Sequence, residues 1–491
     1  GRNKTFFFFN WEQYRAGQNV IADPISVPTA NYRNGDFTEA LGKTSLGNDL
    51  LGNAMFTNKI YDPSTRRTVN GSVVADAFPG NIIPKTRLDP VALKVQSLIP
   101  SPTIGGLTNN YQGTYPQERV TQVPSIKVDQ VVTGKHKFSF LANRTSTKCD
   151  FCAGAEGLPL PISAAIGTYI RAHTERLNWD TTITPTLLAH WGIGFTQNWL
   201  GRPALVDGYD ATAQLGLKGP FTGRGATFPN FTGMTGTTAG GMANISSTGA
   251  LADDVFQQGT AIVSLTWVKG NHTYKFGGEL RNQGDYRLDF SAINGTYAFG
   301  TQQTALPYIV AGNAAATVGG QPIGFPYASF LLGLVNNGNV KPGSAARIGK
   351  HQLGFYAQDT WKITRKITLD YGLRYDYSTY FKEQYGRMAA FSPTIANATA
   401  GGHPGGVIYE SNCNCNFAKN YPWAFGPRLG LAWQLAPKTV LRAGFGIAYT
   451  GTAQYNLAGG VVSAHDQQRE VAHEFTRRHV ACLRIVRKHG N

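Results

Sequence analysis

Residues 351–381, HQLGFYAQDTWKITRKITLDYGLRYDYSTYF, decide how the rest of the chain is read. Leu353, Phe355, Ala357, Trp361 and Ile363 share one parity of the first half, and Gly354, Tyr356, Gln358, Thr360 and Lys362 share the other. Past Thr364-Arg365-Lys366 the alternation resumes, with Ile367, Leu369, Tyr371, Leu373, Tyr375 and Tyr377 set against Thr368, Asp370, Gly372, Arg374 and Asp376. Successive side chains of a strand point to opposite faces, so each half predicts a strand with one apolar and one polar face. The short polar link between them predicts a hairpin. Each arm is about 12 residues, longer than the usual globular strand of about 5–6 and sufficient for the roughly 9–11 tilted residues that cross a bilayer. The hairpin therefore reads as transmembrane, with Leu369, Tyr371 and Leu373 toward lipid and Asp370 and Arg374 toward a lumen. Asp359 interrupts the apolar row, which predicts an interface or a β-bulge at that point.

The same pattern recurs along the chain. Thr5-Phe6-Phe7-Phe8-Phe9-Asn10-Trp11 is an aromatic strand, and hairpins turn at 133–135, 184–186, 269–272 and 436–438. About 11 strands result, counted from the alternation. If they run up and down, every short turn falls at one end and the long connections (16–121, 148–168, 201–258, 286–349 and 382–424) fall at the other. A β-sandwich spreads its loop lengths over both ends, and a solenoid shows a fixed period. The expected class is all-β: a partial antiparallel transmembrane β-barrel with short periplasmic turns and long extracellular loops.

Composition agrees. Of 491 residues only 15% are charged, 12% are aromatic and 58 are glycine. No stretch approaches the roughly 20 apolar residues of a membrane helix, and the mean hydropathy of −0.23 is what alternating strands produce by cancellation. The net charge of +16 admits a nucleic-acid partner or a basic surface that meets lipid phosphates. Lys and Arg are scattered rather than clustered, which favours the lipid and argues against nucleic acid. Five cysteines fall as Cys149 and Cys152, Cys413 and Cys415, and lone Cys482. Without neighbouring His at zinc-site spacing, the two pairs are expected to form disulfides on long loops in an oxidising compartment. Gly1-Arg2-Asn3-Lys4 runs directly into a strand with no signal peptide, so a preceding segment is expected to be missing.

No enzymatic chemistry is legible. Gly42-Lys43-Thr44 imitates the end of a phosphate-binding loop, but Phe37 stands where its first glycine belongs. His473-Glu474 lacks the second histidine of a metalloprotease, and no nucleophile elbow occurs. We therefore expect no enzyme activity, no catalytic residue, no cofactor and no metal site, and the ligand-binding residues cannot be read. Trp361, Tyr375, Tyr377 and Trp433 are expected in an aromatic girdle, and Gln358, Asp370, Arg374, Asp376 and Arg442 in a polar lumen.

With these residues in hand, the chain resembles the barrel of TonB-dependent outer-membrane receptors, in particular the Oar-like branch. The resemblance rests on Asn3-Lys4-Thr5-Phe6-Phe7-Phe8, Arg33-Asn34-Gly35-Asp36-Phe37, Ile60-Tyr61-Asp62-Pro63 and Phe78-Pro79-Gly80-Asn81-Ile82-Ile83-Pro84. Further support comes from Arg87-Leu88-Asp89-Pro90, Phe355-Tyr356-Ala357-Gln358-Asp359 and Pro427-Arg428-Leu429-Gly430. It implies a barrel of about 22 strands closed by an N-terminal plug. On that expectation residues 1–450 are a partial barrel, with 16–121 its long extracellular loop region, and the plug and its TonB-contacting segment are absent. The implied function is energised transport of an unidentified extracellular ligand across the bacterial outer membrane, with membrane lipid and the TonB machinery as partners. The alternative is a structural or adhesive surface protein without transport. Residues 451–491 are expected to be a non-barrel tail, read either as a frameshifted end or as an amphipathic helix through Val471, Phe475, Cys482 and Ile485. From His465 onward this tail is expected to pair with no strand, and the chain alone to form an incomplete barrel wall.

Overall fold

A computed structural model describes residues 3–219, 226–236, 238–246, 252–290, 292–310, 316–413, 420–449 and 478–487. Its main sheet contains β1 (Thr5–Ile21), β2 (Thr114–Val131), β3 (His136–Ala153), β4 (Ile166–Thr184), β5 (Leu187–Gly201) and β6 (Ala252–Lys269). It continues with β7 (His272–Asp289), β8 (Ser344–Lys362), β9 (Ile367–Ser378), β10 (Ala424–Ala436), β11 (Thr439–Ala448) and β12 (Arg478–Arg487). These twelve strands follow one another in chain order, and each pairs antiparallel with the next. Among the described residues β1 and β12 are the two ends of this path and do not pair, so the sheet is an open wall.

Register carries the sequence alternation across the whole sheet. Phe7, Val128, Phe140, Leu177, Ile193, Ala261, Leu280, Leu353 and Tyr377 stand opposite one another in turn, forming one row on one face. A one-residue slip at any pairing would throw a strand's apolar set onto the polar face, which is why the rows stay aligned. Asp359 sits within unbroken register, opposite Tyr274 and Tyr371, so there is no bulge there. It is buried near the short-turn end, with its Oδ2 accepting from Tyr371 Oη at 2.9 Å and 2.6 Å from His272 Nδ1. His272 also stacks on Trp361, with ring centroids 5.3 Å apart.

The strands run further toward the long connections than the hydrophobic pattern predicts. β8 has 19 residues, and the first connection shrinks from 16–121 to 22–113 because β1 reaches Ile21 and β2 begins at Thr114. Backbone pairing continues past the apolar belt, where side chains on both faces are polar and the period-2 signal fades.

The sequence expectation for the tail needs correction. β12 pairs along its length with β11, with Ala481, Leu483 and Ile485 at the positions opposite Phe445, Ala443 and Leu441. Cys482 and Ile485 thus lie on a strand, not a helix, and this part of the tail joins the wall. An unpaired β11 edge offers a row of free N–H and C=O groups, and the apolar and β-branched residues of 478–487 suit a strand. Val471, Phe475, His465 and His473-Glu474 lie outside the described residues.

Away from the sheet, the long connections build the largest buried core among the described residues. Residues from 22–113, 154–165, 202–246 and 292–343 share one hydrophobic cluster that includes Tyr32, Phe37, Ile60, Ile83, Val95, Phe231, Phe325 and Phe330. Several sequence motifs that carry the family resemblance are its fasteners. Gly35 takes φ +79°, and a Cβ there would stand 2.9 Å from the Ile83 carbonyl, which accepts no such neighbour. The Gly35 carbonyl accepts from Ile83 N–H at 2.9 Å, and the Asn81 side chain links the Ile60 N–H to the Phe37 carbonyl. Arg87 grips Asp62 through two contacts of 2.9 and 3.0 Å, tying together two motifs 25 residues apart in sequence. Asp89 caps the helix Pro90–Leu98 by accepting from Val91 and Ala92 N–H. Gly42-Lys43-Thr44 sits between a short 3-10 turn (Thr38–Ala40) and the short strand Ser45–Asn48, which is no setting for a phosphate loop.

The Cys149–Cys152 disulfide forms, but on β3 and not on a loop. Cys413 is disulfide-bonded and ends the short helix Glu410–Cys413, while Cys415 lies outside the described residues.

One acid inside the connections should be titratable. Burial pushes the Glu156 carboxyl up to about 7, even though it accepts from Ala164 N–H and the Ser163 hydroxyl. The unfolded carboxyl ionises near its ordinary 4.5, so the packing of this segment is fully stable below that pH and weakens as pH rises through 7. Glu156→Gln should abolish the slope and, at pH values above about 8, protect residues 154–165 by about 2–3 kcal/mol. Hydrogen exchange of this segment across pH checks it; a slope that survives the substitution assigns the effect elsewhere.

Candidate functional site

Opposite the apolar rows, the sheet presents a polar face, and β7 to β10 gather its charges. On β7, Lys275, Gly277, Glu279 and Arg281 alternate with Tyr274, Phe276, Gly278 and Leu280. Register sets Glu279 opposite Gly354 and Arg281 opposite Gln352, and then Gly354 opposite Asp376 and Tyr356 opposite Arg374. Four side chains from two strands, β7 and β9, thereby meet across β8. Arg374 bonds Asp376 through Nε and Nη2, at 2.9 and 2.8 Å, and reaches Glu279 at 3.6 Å; Glu279 also pairs with Arg281. On the same face Tyr356 lies flat over Gly277, where any Cβ would collide with its ring.

Two adjoining recesses open here. One of about 240 Å³ is lined by Glu279, Arg281, Gln352, Arg374, Asp376 and Arg428. The second, about 550 Å³, adds Lys275, Tyr356, Gln358 and Asp370 and shares Arg374 and Arg428. Glu279, Asp370 and Asp376 are each engaged, Asp370 by the Thr360 hydroxyl at 2.6 Å. The side chains of Lys275 and Arg428 have no ion-pair or hydrogen-bond partner among the described residues. The recesses therefore present two unspent cations beside an engaged ion-pair network, a charge arrangement suited to polar and anionic groups, and among the described residues that line them there is no nucleophile–base pair.

Of the lumen residues expected from sequence, Gln358, Asp370, Arg374 and Asp376 lie together in this region, and Arg442 stands apart, opposite Ala432 on β10. Sequence reasoning missed Glu279, Arg281, Lys275 and Arg428. Their parity was visible, but which strands adjoin, and in what register, was not. Among the described residues no group of three His, Cys, Asp or Glu side chains could hold a metal ion.

A family model for the outer membrane beta barrel domain matches residues 1–476. The chain belongs to this outer-membrane β-barrel family. It is accordingly a protein of the bacterial outer membrane, with its apolar rows toward lipid and its polar face toward the lumen. Trp361 and Trp433 sit on the lipid face near the short turns, and Tyr375 and Tyr377 on the same face toward the long connections, so the expected girdle is two belts. No curated protein matches. Among solved structures the chain is similar to the outer membrane transporter YddB from Escherichia coli, at 12% identity over 69% of this chain and 33% of that one, with a TM-score of 0.39. It is also similar to the ferric yersiniabactin uptake receptor FyuA from Yersinia pestis, at 11% identity over 74% and 42%, with a TM-score of 0.35. The chain thus spans between a third and a half of the length of these structures.

Proposed function

We propose that this wall belongs to an outer-membrane receptor that moves an unidentified polar ligand, preferentially one bearing negative charge, through its lumen. The observation that carries the reading is the pair of unengaged cations, Lys275 and Arg428, held beside the Glu279–Arg281–Arg374–Asp376 network on the lumen face. Charged side chains on a barrel's inner face are there to meet water and solutes, and an adhesive surface protein needs no such lining. In this reading the packed connections at the other end lie outside the cell and capture the ligand. The energy comes from the TonB machinery through a plug in contact with the wall, as the family resemblance implies. The barrel contributes shape and electrostatics, not bond-making chemistry.

The test uses cells that carry the protein in their outer membrane and a medium fraction whose small molecules are quantified by mass spectrometry. Uptake of at least one anionic compound should depend on the protein, collapse when a protonophore discharges the inner membrane, and fall about tenfold in Lys275→Gln/Arg428→Gln. Protein-dependent binding of cells to a macromolecular surface, with no protonophore-sensitive uptake, would replace transport with adhesion.

A further inference from the structure

The lipid face changes character where β2 to β5 pass the end of the apolar belt. Counting from the short turns, the roughly 9–11 residues that cross a bilayer bring β3 from His136 to about residue 145, and β4 from Thr184 to about residue 175. At and just past that level the lipid-facing positions turn basic. Arg144 stands opposite His173, and Ser146 opposite Arg171; across the next pairing Arg171 stands opposite Trp199 and His173 opposite Gln197. Arg144 and Arg171 are both exposed. Arg171 lies over the Trp199 ring, 4.7 Å from its centroid, and neither guanidinium has an ion-pair or hydrogen-bond partner among the described residues.

These groups border a recess of about 720 Å³ whose lower wall is Phe9, Ile126 and Ala142 and whose upper wall is Arg144, Arg171 and His173. The one carboxylate in the lining, Glu175, is 2.8 Å from His173 Nδ1, while His173 Nε2 is 3.0 Å from Gln197 Oε1. The acid is thus engaged by histidine, and the two arginines stay available. A guanidinium over a ring recurs along the wall at the same end, where Arg347 lies 4.7 Å from the Tyr286 centroid; Lys148, 5.9 Å from the Tyr169 centroid, is instead paired with Asp150 at 3.2 Å. Planar guanidiniums on aromatic faces, held at headgroup depth, suit phosphate.

We propose that this recess seats the phosphate-bearing headgroup of a lipid from the leaflet at the long-connection end. Its phosphate lies between Arg144 and Arg171, and its acyl chains run down over Phe9, Ile126 and the Phe140–Leu177–Ile193 row. The continuity of the recess with the apolar belt selects a lipid over a soluble anion, since one wall is built for hydrocarbon and the other for charge. The site is on the opposite face from the lumen recesses and does not depend on transport.

Native mass spectrometry of the full chain in non-ionic detergent tests the assignment, with three probes: lipid A, lipid A stripped of its phosphates, and inorganic pyrophosphate. Lipid A should bind. Arg144→Gln/Arg171→Gln should weaken that binding at least about tenfold, and the stripped lipid should bind wild type as weakly as lipid A binds the variant. Arg119→Gln, on the lumen face of β2, should change nothing. Arg171→Lys keeps the charge without the planar stack and should lose only part of the binding, which separates a charge effect from misfolding. Undiminished lipid A binding by the double variant overturns the proposal. So does pyrophosphate binding as tightly as lipid A and failing in the same variant, which would make this a soluble-anion site.

Discussion

Truncation of Phe330 to alanine should destabilise the packed connections by about 3–5 kcal/mol while leaving the barrel strands paired. Phe330 is 1% exposed and meets Phe299 edge-on at 5.3 Å, Tyr327 at 5.3 Å and Phe231 at 6.1 Å. These rings come from two different connections, 202–246 and 292–343, and belong to the cluster that holds the connections together. Removing one leaves a cavity that its neighbours, fixed by Tyr32 Oη on the Ala239 carbonyl and Tyr327 Oη on Gln96, can refill only in part. The wall is held separately, by backbone pairing from β1 through β12. Hydrogen exchange should therefore accelerate across residues 22–113 and 292–343 and stay slow in β4 to β8. Uniform acceleration in strands and connections would show that the two are one cooperative unit.

Arginine at Leu373 should cost about 2–4 kcal/mol of folding free energy in lipid vesicles, and arginine at Tyr371 distinctly less. Both positions face lipid, with Leu373 47% and Tyr371 41% exposed on the sheet. Leu373 stands opposite Ala357 and Pro427, with no acid in either row partner, at the seventh residue of β9 counted from the short turn. That lies within the roughly 9–11 residues that cross a bilayer. Tyr371 instead touches Asp359, which is 4% exposed, and a guanidinium there gains a carboxylate partner. Equal costs at the two sites would show that Asp359 gives the guanidinium no stabilising partner.

Much of this was legible in the residues themselves. The parity of Leu369, Tyr371 and Leu373 against Asp370, Arg374 and Asp376 predicts both faces of β9, because side-chain direction in a strand is a local property of the backbone. The hairpin turns and the separation of short from long connections follow from the same alternation. Residues 478–487 escaped because ten residues with arginines at both ends show a weak pattern when read alone. Their strand depends on the β11 edge that templates it.

What the sequence by itself determined is the alternating strand, its length against a bilayer, and thereby a membrane wall with one apolar and one polar face. Only tertiary structure decided which strands adjoin, and so which charges meet. Glu279 and Arg374 are 95 residues apart, yet register across β7, β8 and β9 brings them to 3.6 Å. The same holds for Arg144, His173 and Trp199, and for the motifs around Phe37, Asp62, Asn81 and Arg87. Each of those motifs has no period to read, because its meaning lies in a partner supplied by a distant connection. Alternation is a one-dimensional signal set by backbone geometry, whereas a recess or a packed core is a juxtaposition that exists only after the chain has closed on itself.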